Sequence, residues 1–133
     1  MSATAKGTFT VKLAPQPHVD GVGDAAIGRL SIDKSFEGDL VATSLGQMIA
    51  FRSSVEGSAN YSAIEKVSGA LAGRKGTFVL QHTGVMNRGA ASLLITVAPD
   101  SGTDALVGLT GKMNITIVEK QHSYEFEYEL PDV

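Results

Sequence analysis

Alternating apolar and polar residues run through most of the chain, and this pattern predicts β-strands. The clearest stretch is Tyr61–Met86, which reads YSAIEKVSGALAGRKGTFVLQHTGVM. We interpret it as two long strands joined by a turn at residues 72–75. Because successive side chains of a strand point to opposite faces, each strand has an apolar face that should be buried.

Each strand of this hairpin also carries one ionisable residue on its apolar face, Glu65 on the first and His82 on the second. We expect the chain to fold about Gly73-Arg74 with an even loop, since an odd loop would pair a core face with a solvent face. This register pairs Val67 with Leu80, Glu65 with His82, and Tyr61 with Met86. Glu65 and His82 are therefore predicted to be cross-strand neighbours on a buried face.

The same alternation predicts further strands at residues 4–13, 27–36, 38–52, 90–98, 105–109, 112–119 and 121–130. Residues 38–52 form one bent strand or two short ones, interrupted at Leu45-Gly46. Residues 14–26, rich in proline and glycine, form the longest irregular loop. Lys34 falls on a mostly apolar face, and we expect its charged end to reach solvent at the strand end.

No stretch has sustained helical periodicity, so the chain is predicted to be all-β, with eight or nine strands in a meander. Such a chain must bury one face of its sheet and protect the sheet edges. Closure into an antiparallel barrel of about eight strands does both. The length of 133 residues predicts one domain, residues 1–133, which includes the irregular loop.

Composition narrows the functional classes. The absence of cysteine excludes disulfides, thiol nucleophiles and thiolate metal sites. A net charge of −3 without a basic run argues against a nucleic-acid partner. The apolar runs are too short for a membrane span, so no membrane partner is expected. The N-terminal residues lack the apolar core of a signal peptide, and we expect a cytoplasmic protein.

Motifs of known chemistry are absent or out of context. Residues 21–26, GVGDAA, match the loose dinucleotide pattern G-x-G-x-x-A, but a loop precedes them and a predicted strand follows, so we reject this reading. No P-loop or G-x-S-x-G sequence is present. The small residues of 99–103 could form an anion-binding nest, although an ordinary turn is the better interpretation.

Three segments, YSAIEKVSGALAGRKGTFVLQHTG, SGTDALVGLTGKM and HSYEFEYEL, together resemble a bacterial family of small proteins catalogued as a domain of unknown function. The resemblance extends from about Thr4 to Leu130. It implies a closed antiparallel barrel similar to that of allene oxide cyclase. Asp104-Ala105 departs from the Gly-Glu expected after Ser-Gly-Thr. The family has no established activity, so the resemblance supplies no catalytic residues.

Polar and aromatic residues on the inward faces are the candidates for chemistry. The predicted lumen residues are Tyr61, Glu65, His82, Met86, His122 and Tyr124. A buried carboxylate beside an imidazole can act as an acid/base pair, but the favoured reading is a structural pair. A metal site would need two or three of Glu65, His82 and His122 to converge; their spacing gives no such signal, and we expect no metal or cofactor.

Three functional hypotheses remain open. The first is a binding module that holds a small, mostly apolar ligand in the lumen, oriented by Glu65, His82 and Tyr61. The second is an enzyme of isomerase or cyclase type that uses the Glu-His pair. The third is a structural homo-oligomer with a filled barrel, for which Ile64 and Val79 on the outer face would contribute an apolar patch.

Overall fold

The computed structural model describes residues 2–131, which form eight long strands and one short 3₁₀ helix. The elements are β1 (Ser2–Gln16), β2 (Gly28–Gly38), β3 (Leu40–Arg52), β4 (Ala59–Leu71), β5 (Arg74–Asn87), β6 (Ala90–Val97), the 3₁₀ helix (Asp104–Leu106), β7 (Thr110–Val118) and β8 (Gln121–Glu129). No helix in this part of the chain is long and apolar enough to cross a membrane.

The strands pair in chain order as an antiparallel meander, and β8 returns to pair with β1, so the sheet closes into a barrel. The prediction of an all-β, closed antiparallel barrel of about eight strands is confirmed. The more specific likeness to the allene oxide cyclase barrel stays a prediction.

The β4–β5 hairpin is present, but its predicted register is wrong by two residues. The turn consists of Ala72 and Gly73, both with positive φ (49° and 82°), as in a two-residue type I′ turn. Glu65 therefore lies opposite Leu80, and His82 lies opposite Ala63. Because side chains alternate with a period of two, this shift leaves every inward residue facing inward. Glu65 and His82 are diagonal neighbours rather than direct partners.

The C-terminal boundary of β1 also differs from the prediction. The irregular loop does not begin at residue 14, because β1 continues to Gln16 and Pro15 pairs with Leu30 of β2. The pairing of β1 with β8 ends at Phe9, so the proline lies where one edge of β1 has no paired strand among the described residues.

The strand predicted at residues 105–109 is wrong. This segment is the 3₁₀ helix followed by a turn, and it buries Leu106 and Leu109, three residues apart. In contrast, β3 runs unbroken through Gly46, where the prediction allowed an interruption.

The two ends of the barrel differ in how they are filled. We call the end that carries the β2–β3 and β4–β5 turns the closed end, and the end that carries the β1–β2 and β3–β4 loops the open end. At the closed end, Leu106 and Leu109 join Leu71, Phe78 and Phe126 in one buried apolar cluster. The stacked rings of Phe78 and Phe126 lie 5.8 Å apart. Side chains thus fill this half of the lumen.

Candidate functional site

The open end of the barrel contains a cavity of about 160 Å³ to which all eight strands contribute. Its wall is mostly apolar, and Leu13, Leu93 and Ile117 are 45%, 41% and 61% exposed. These residues point inward, yet the rest of the described chain leaves a large part of each of them exposed. The open half of the lumen is therefore a recess lined by apolar side chains that water reaches.

A layer of buried polar side chains separates this recess from the packed closed end. Glu65 of β4 lies at its centre and is fully buried. One carboxylate oxygen accepts a 2.8 Å hydrogen bond from the Ser44 hydroxyl of β3. The other accepts from Lys34 Nζ of β2 at 2.8 Å and lies 2.6 Å from His82 Nε2 of β5. Four adjacent strands thus supply one polar group each, and we call these four residues the polar layer.

The surroundings of Glu65 decide its ionisation. Burial opposes the charged form, but the hydrogen bond to His82 and the charge and hydrogen bond of Lys34 outweigh burial and lower the Glu65 pKa to about 2. A carboxylate with three donors is stabilised in the ionised state even in a buried site. Glu65 therefore carries a negative charge at neutral pH, paired with the Lys34 ammonium.

An ionised Glu65 fixes the orientation of the His82 proton. A carboxylate only accepts hydrogen bonds, so Nε2 of His82 must carry the hydrogen and donate it. Among residues 2–131, Nδ1 of His82 has no hydrogen-bond partner, and no enclosed side-chain nitrogen or oxygen lacks one. Because His82 lines the cavity, we infer that Nδ1 is accessible from it. The imidazole thus presents a free lone pair, or a second N–H when protonated, to the recess.

Tyr61 and Lys34 are two further polar residues of the cavity wall. The ring centroid of Tyr61 lies 6.4 Å from that of His82. A side chain at residue 84 would collide with the Tyr61 ring, so Gly84 lets the ring lie across β5. Burial and the nearby charge of Glu65 raise the Tyr61 pKa, so its hydroxyl stays protonated and can donate. Lys34 Nζ also lies 5.0 Å from the centre of the Phe9 ring.

The predicted lumen residues fall into three groups. Tyr61, His82 and His122 line the cavity, and Glu65 lies beneath it. Met86 lies outside, in a depression on the rim. Tyr124 is directed into the closed end.

Tyr124 has a structural position there. Its hydroxyl accepts a hydrogen bond from the Leu40 N–H at 2.9 Å and donates one to the Glu37 carbonyl at 2.8 Å. It therefore ties the β2–β3 turn to the barrel core.

Sequence reasoning missed two members of the polar layer. Lys34 was expected to reach solvent, but it is 6% exposed and bonded to Glu65. Its position on an apolar face in mid-strand, at the same parity as Phe36, was the available signal. Ser44 gave no signal, since serine occurs on either face of a strand. Gly46 lies opposite Glu65, where a Cβ would come within 2.6 Å of the Glu65 Cα. This glycine allows a close approach of two backbones rather than a break in the strand.

The hypothesis of a metal site formed by Glu65, His82 and His122 finds no support in the positions of these residues. Within residues 2–131, no three histidine, aspartate or glutamate side chains are grouped closely enough to hold a metal ion. His122 contacts the Phe9 ring, with centroids 5.2 Å apart, and is not bonded to Glu65.

Comparisons with known proteins identify the family to which this chain belongs. No match was found among curated proteins. A crystal structure of a protein of unknown function from the DUF3224 family of Shewanella oneidensis MR-1 is similar to this chain, with 42% identity and a TM-score of 0.89. The match covers 99% of this chain and 100% of the other. Residues 5–128 also match the family described as "Protein of unknown function (DUF3224)". This chain therefore belongs to the DUF3224 family, which confirms the predicted resemblance to a bacterial domain of unknown function.

Proposed function

We propose that this protein binds a small, mostly apolar ligand in the open half of its lumen. The observation that carries the proposal is the exposure of inward-facing apolar side chains, above all Leu93 and Ile117. Leaving apolar area in contact with water costs roughly 25 cal/mol per Å² relative to burying it. A ligand that covered this apolar area would recover that free energy. Side chains do the same at the closed end, where they bury the inward faces of the same strands.

The shape of the recess indicates the size of the ligand. The cavity of about 160 Å³ suits a molecule of a few carbon atoms beyond its polar group. Met48 and Tyr61 also border the rim depression of about 480 Å³, which extends under Ala25 of the β1–β2 loop. A longer ligand would extend along this depression without displacing the strands.

A second approach to the recess lies between β6 and β7. These strands pair only at Ile95–Met113 and Thr96–Lys112, near the closed end. Towards the open end their described residues are not paired with each other, and Leu93 and Ile117 line the cavity from the two sides. A ligand can therefore enter without breaking a strand pair.

The proposal is tested by measuring the binding of octan-1-ol, by calorimetry or by NMR titration. The Leu93→Trp variant fills the recess and should abolish binding. Leu94→Trp is the matched control, because Leu94 is the next residue, is similarly exposed, and points to the outer face. Equal binding by both variants, or no binding by the wild type, would contradict the proposal.

The polar layer supports a second candidate function, an isomerase-type enzyme. Glu65 orients His82 through the 2.6 Å contact, and the other imidazole nitrogen faces the cavity. This is the arrangement that lets an imidazole act as general base in known catalytic sites. In a ketone with a double bond one carbon further along, His82 would remove a proton from the carbon between the carbonyl and the double bond and return it to the far carbon of that double bond, so that the double bond moves next to the carbonyl. Tyr61 would donate to the carbonyl oxygen of the enolate that forms between the two steps.

Deuterium exchange into a small ketone such as octan-2-one tests this second candidate. Wild-type protein in D₂O should speed the exchange of the protons beside the carbonyl, and His82→Gln should not. Exchange at the uncatalysed rate with the wild type, under conditions where the ketone binds, would rule out the enzyme and leave the binding function intact.

A further inference from the structure

We propose that the ligand is a weak organic acid, with an apolar body in the recess and one carboxylate against the polar layer, whose charge is matched by a proton on His82. This inference rests on the proposed binding function. It specifies the chemical class of the ligand and predicts that binding takes up a proton.

The carboxylate of Glu65 cannot serve as the acceptor for a ligand. Its oxygens already accept from Ser44, Lys34 and His82, and it is fully buried beneath them. A ligand in the cavity meets the donors that surround Glu65, not the carboxylate itself. A cationic or donor-rich ligand would therefore find no free anionic partner in this wall.

The polar groups that do border the cavity are donors or can become donors. Lys34 uses one N–H for Glu65, and no other protein oxygen accepts from its ammonium in the described chain. Within residues 2–131 the Tyr61 hydroxyl has no hydrogen-bond partner, and His82 presents Nδ1. His122 lines the cavity with no hydrogen bond among the described residues. Four donors around one recess match a group that only accepts, and a carboxylate is the commonest such group in small molecules.

The charge of the polar layer predicts the proton uptake. Lys34 and Glu65 cancel, so the layer is neutral when His82 is neutral. A ligand carboxylate placed against the buried polar layer would add a negative charge with no matching positive charge, which is costly. Protonation of His82 at Nδ1 restores neutrality and adds an N–H donor facing the ligand. A ligand that arrives as the neutral acid gives its own proton to Nδ1, and a ligand that arrives ionised leaves the solvent to supply that proton.

The other elements around His82 contribute one more titratable group. Phe9 from β1, Met48 from β3, Leu93 from β6 and Ile115 from β7 are uncharged, whereas β2 and β4 carry the groups already described. β8 carries His122. The experiment must therefore distinguish protonation of His82 from protonation of His122.

A comparison of octanoate, octan-1-ol and octylamine tests the ligand class. The three share one apolar body and differ in the head group. Calorimetric titration at about pH 8, where a free carboxylic acid is ionised, should give octanoate an affinity at least roughly tenfold above that of octan-1-ol. Octylamine should bind more weakly than both. Repeating the octanoate titration in buffers of different ionisation enthalpy should show uptake approaching one proton.

Three histidine variants identify the proton acceptor. His82→Gln should abolish both the proton uptake and the preference for octanoate, while still binding octan-1-ol. His122→Gln should retain the proton uptake. His18→Gln, in the β1–β2 loop away from the lumen cavity, is the control for loss of any histidine.

Each result has a definite meaning. Tighter octanoate binding with uptake that depends on His82 supports the inference. Octan-1-ol binding as tightly as octanoate overturns the acid class but leaves the binding function standing. Octanoate binding without proton uptake, or with uptake that depends on His122, overturns the role of His82. Failure of octanoate and octan-1-ol alike to bind overturns the inference and the proposed function together.

Discussion

The closed and open ends of this barrel are built from the same eight strands, yet only one is filled. At the closed end, Phe126 stacks on Phe78 and on Tyr128, and Leu106 and Leu109 enter from the 3₁₀ segment. At the open end, no segment of residues 2–131 enters the lumen in the same way. Ile117 lies at the same kind of inward position as Phe126 but is 61% exposed.

The difference shows which residues are available for function. Side chains at the closed end already have apolar neighbours, so their contribution is to stability. At the open end, Leu13, Leu93 and Ile117 are held in place by the strands but remain largely exposed. The polar layer lies between the two and contributes to both: it is buried like a core, and Lys34 and His82 border the cavity.

The largest expected effect separates the two ends directly. Phe126→Ala should lower the free energy of unfolding by about 3 to 5 kcal/mol, because it leaves a cavity in a packed core. Ile117→Ala should cost less than about 1 kcal/mol, because its side chain is already largely exposed. Urea denaturation followed by circular dichroism measures both. Similar losses at the two positions would show that the ends do not differ as described.

Breaking the polar layer should cost nearly as much. Lys34→Met leaves the Glu65 charge without its ammonium partner and should destabilise the protein by about 3 kcal/mol. Lys66→Met is the control, because Lys66 neighbours Glu65 in β4 but is exposed on the outer wall. The double variant Lys34→Met/Glu65→Leu should recover most of the loss, since it removes both charges. A double variant as unstable as the single one would contradict this explanation.

Acid should reveal the same layer. The pKa of Glu65 is about 2 in the folded protein against an ordinary 4.5, so its contribution is complete above pH 4.5 and is lost as the pH falls towards 2. That contribution is on the order of 3 kcal/mol. Stability measured across this window should fall more steeply for the wild type than for Glu65→Gln. Parallel curves would show that Glu65 does not carry the effect.

The smallest expected effect compares two tyrosines. Tyr124→Phe, at the closed end, leaves the Leu40 N–H without its acceptor and should cost about 1 to 2 kcal/mol. Tyr61→Phe, at the open end, removes a hydroxyl that has no partner in the described chain and should change stability by less than about 0.5 kcal/mol. A larger loss for Tyr61→Phe would indicate a structural role that the geometry does not show.

The fold could be predicted because it depends on the alternation of apolar and polar residues, which can be read directly from the sequence. Strict alternation assigns each residue to a face, and a two-residue error in register, as at Glu65 and His82, does not change the face. The burial of Glu65 and His82 was therefore predictable although their pairing was not. The turn centre depended on Ala72 adopting a positive φ, which is uncommon for residues other than glycine.

The candidate site was harder to predict, because it depends on which strands curve towards each other across the lumen. Lys34 and Glu65 are 31 residues apart and lie on strands that do not pair with each other. Alternation alone cannot say that Lys34 points to a carboxylate rather than to solvent. Nor can it distinguish a filled half of a barrel from an empty one, because Phe126 and Ile117 occupy equivalent inward positions.

The most direct test of the difference between the ends is a methyl NMR titration of the protein with octan-1-ol. We expect shifts and ligand contacts at Leu93, Ile115 and Ile117, and unchanged signals from Leu71, Leu106 and Leu109. Contacts with Leu45, Ile49 and Ile64 of the outer wall, or shifts at the closed end equal to those at the open end, would show that the ligand does not bind in the open half of the lumen.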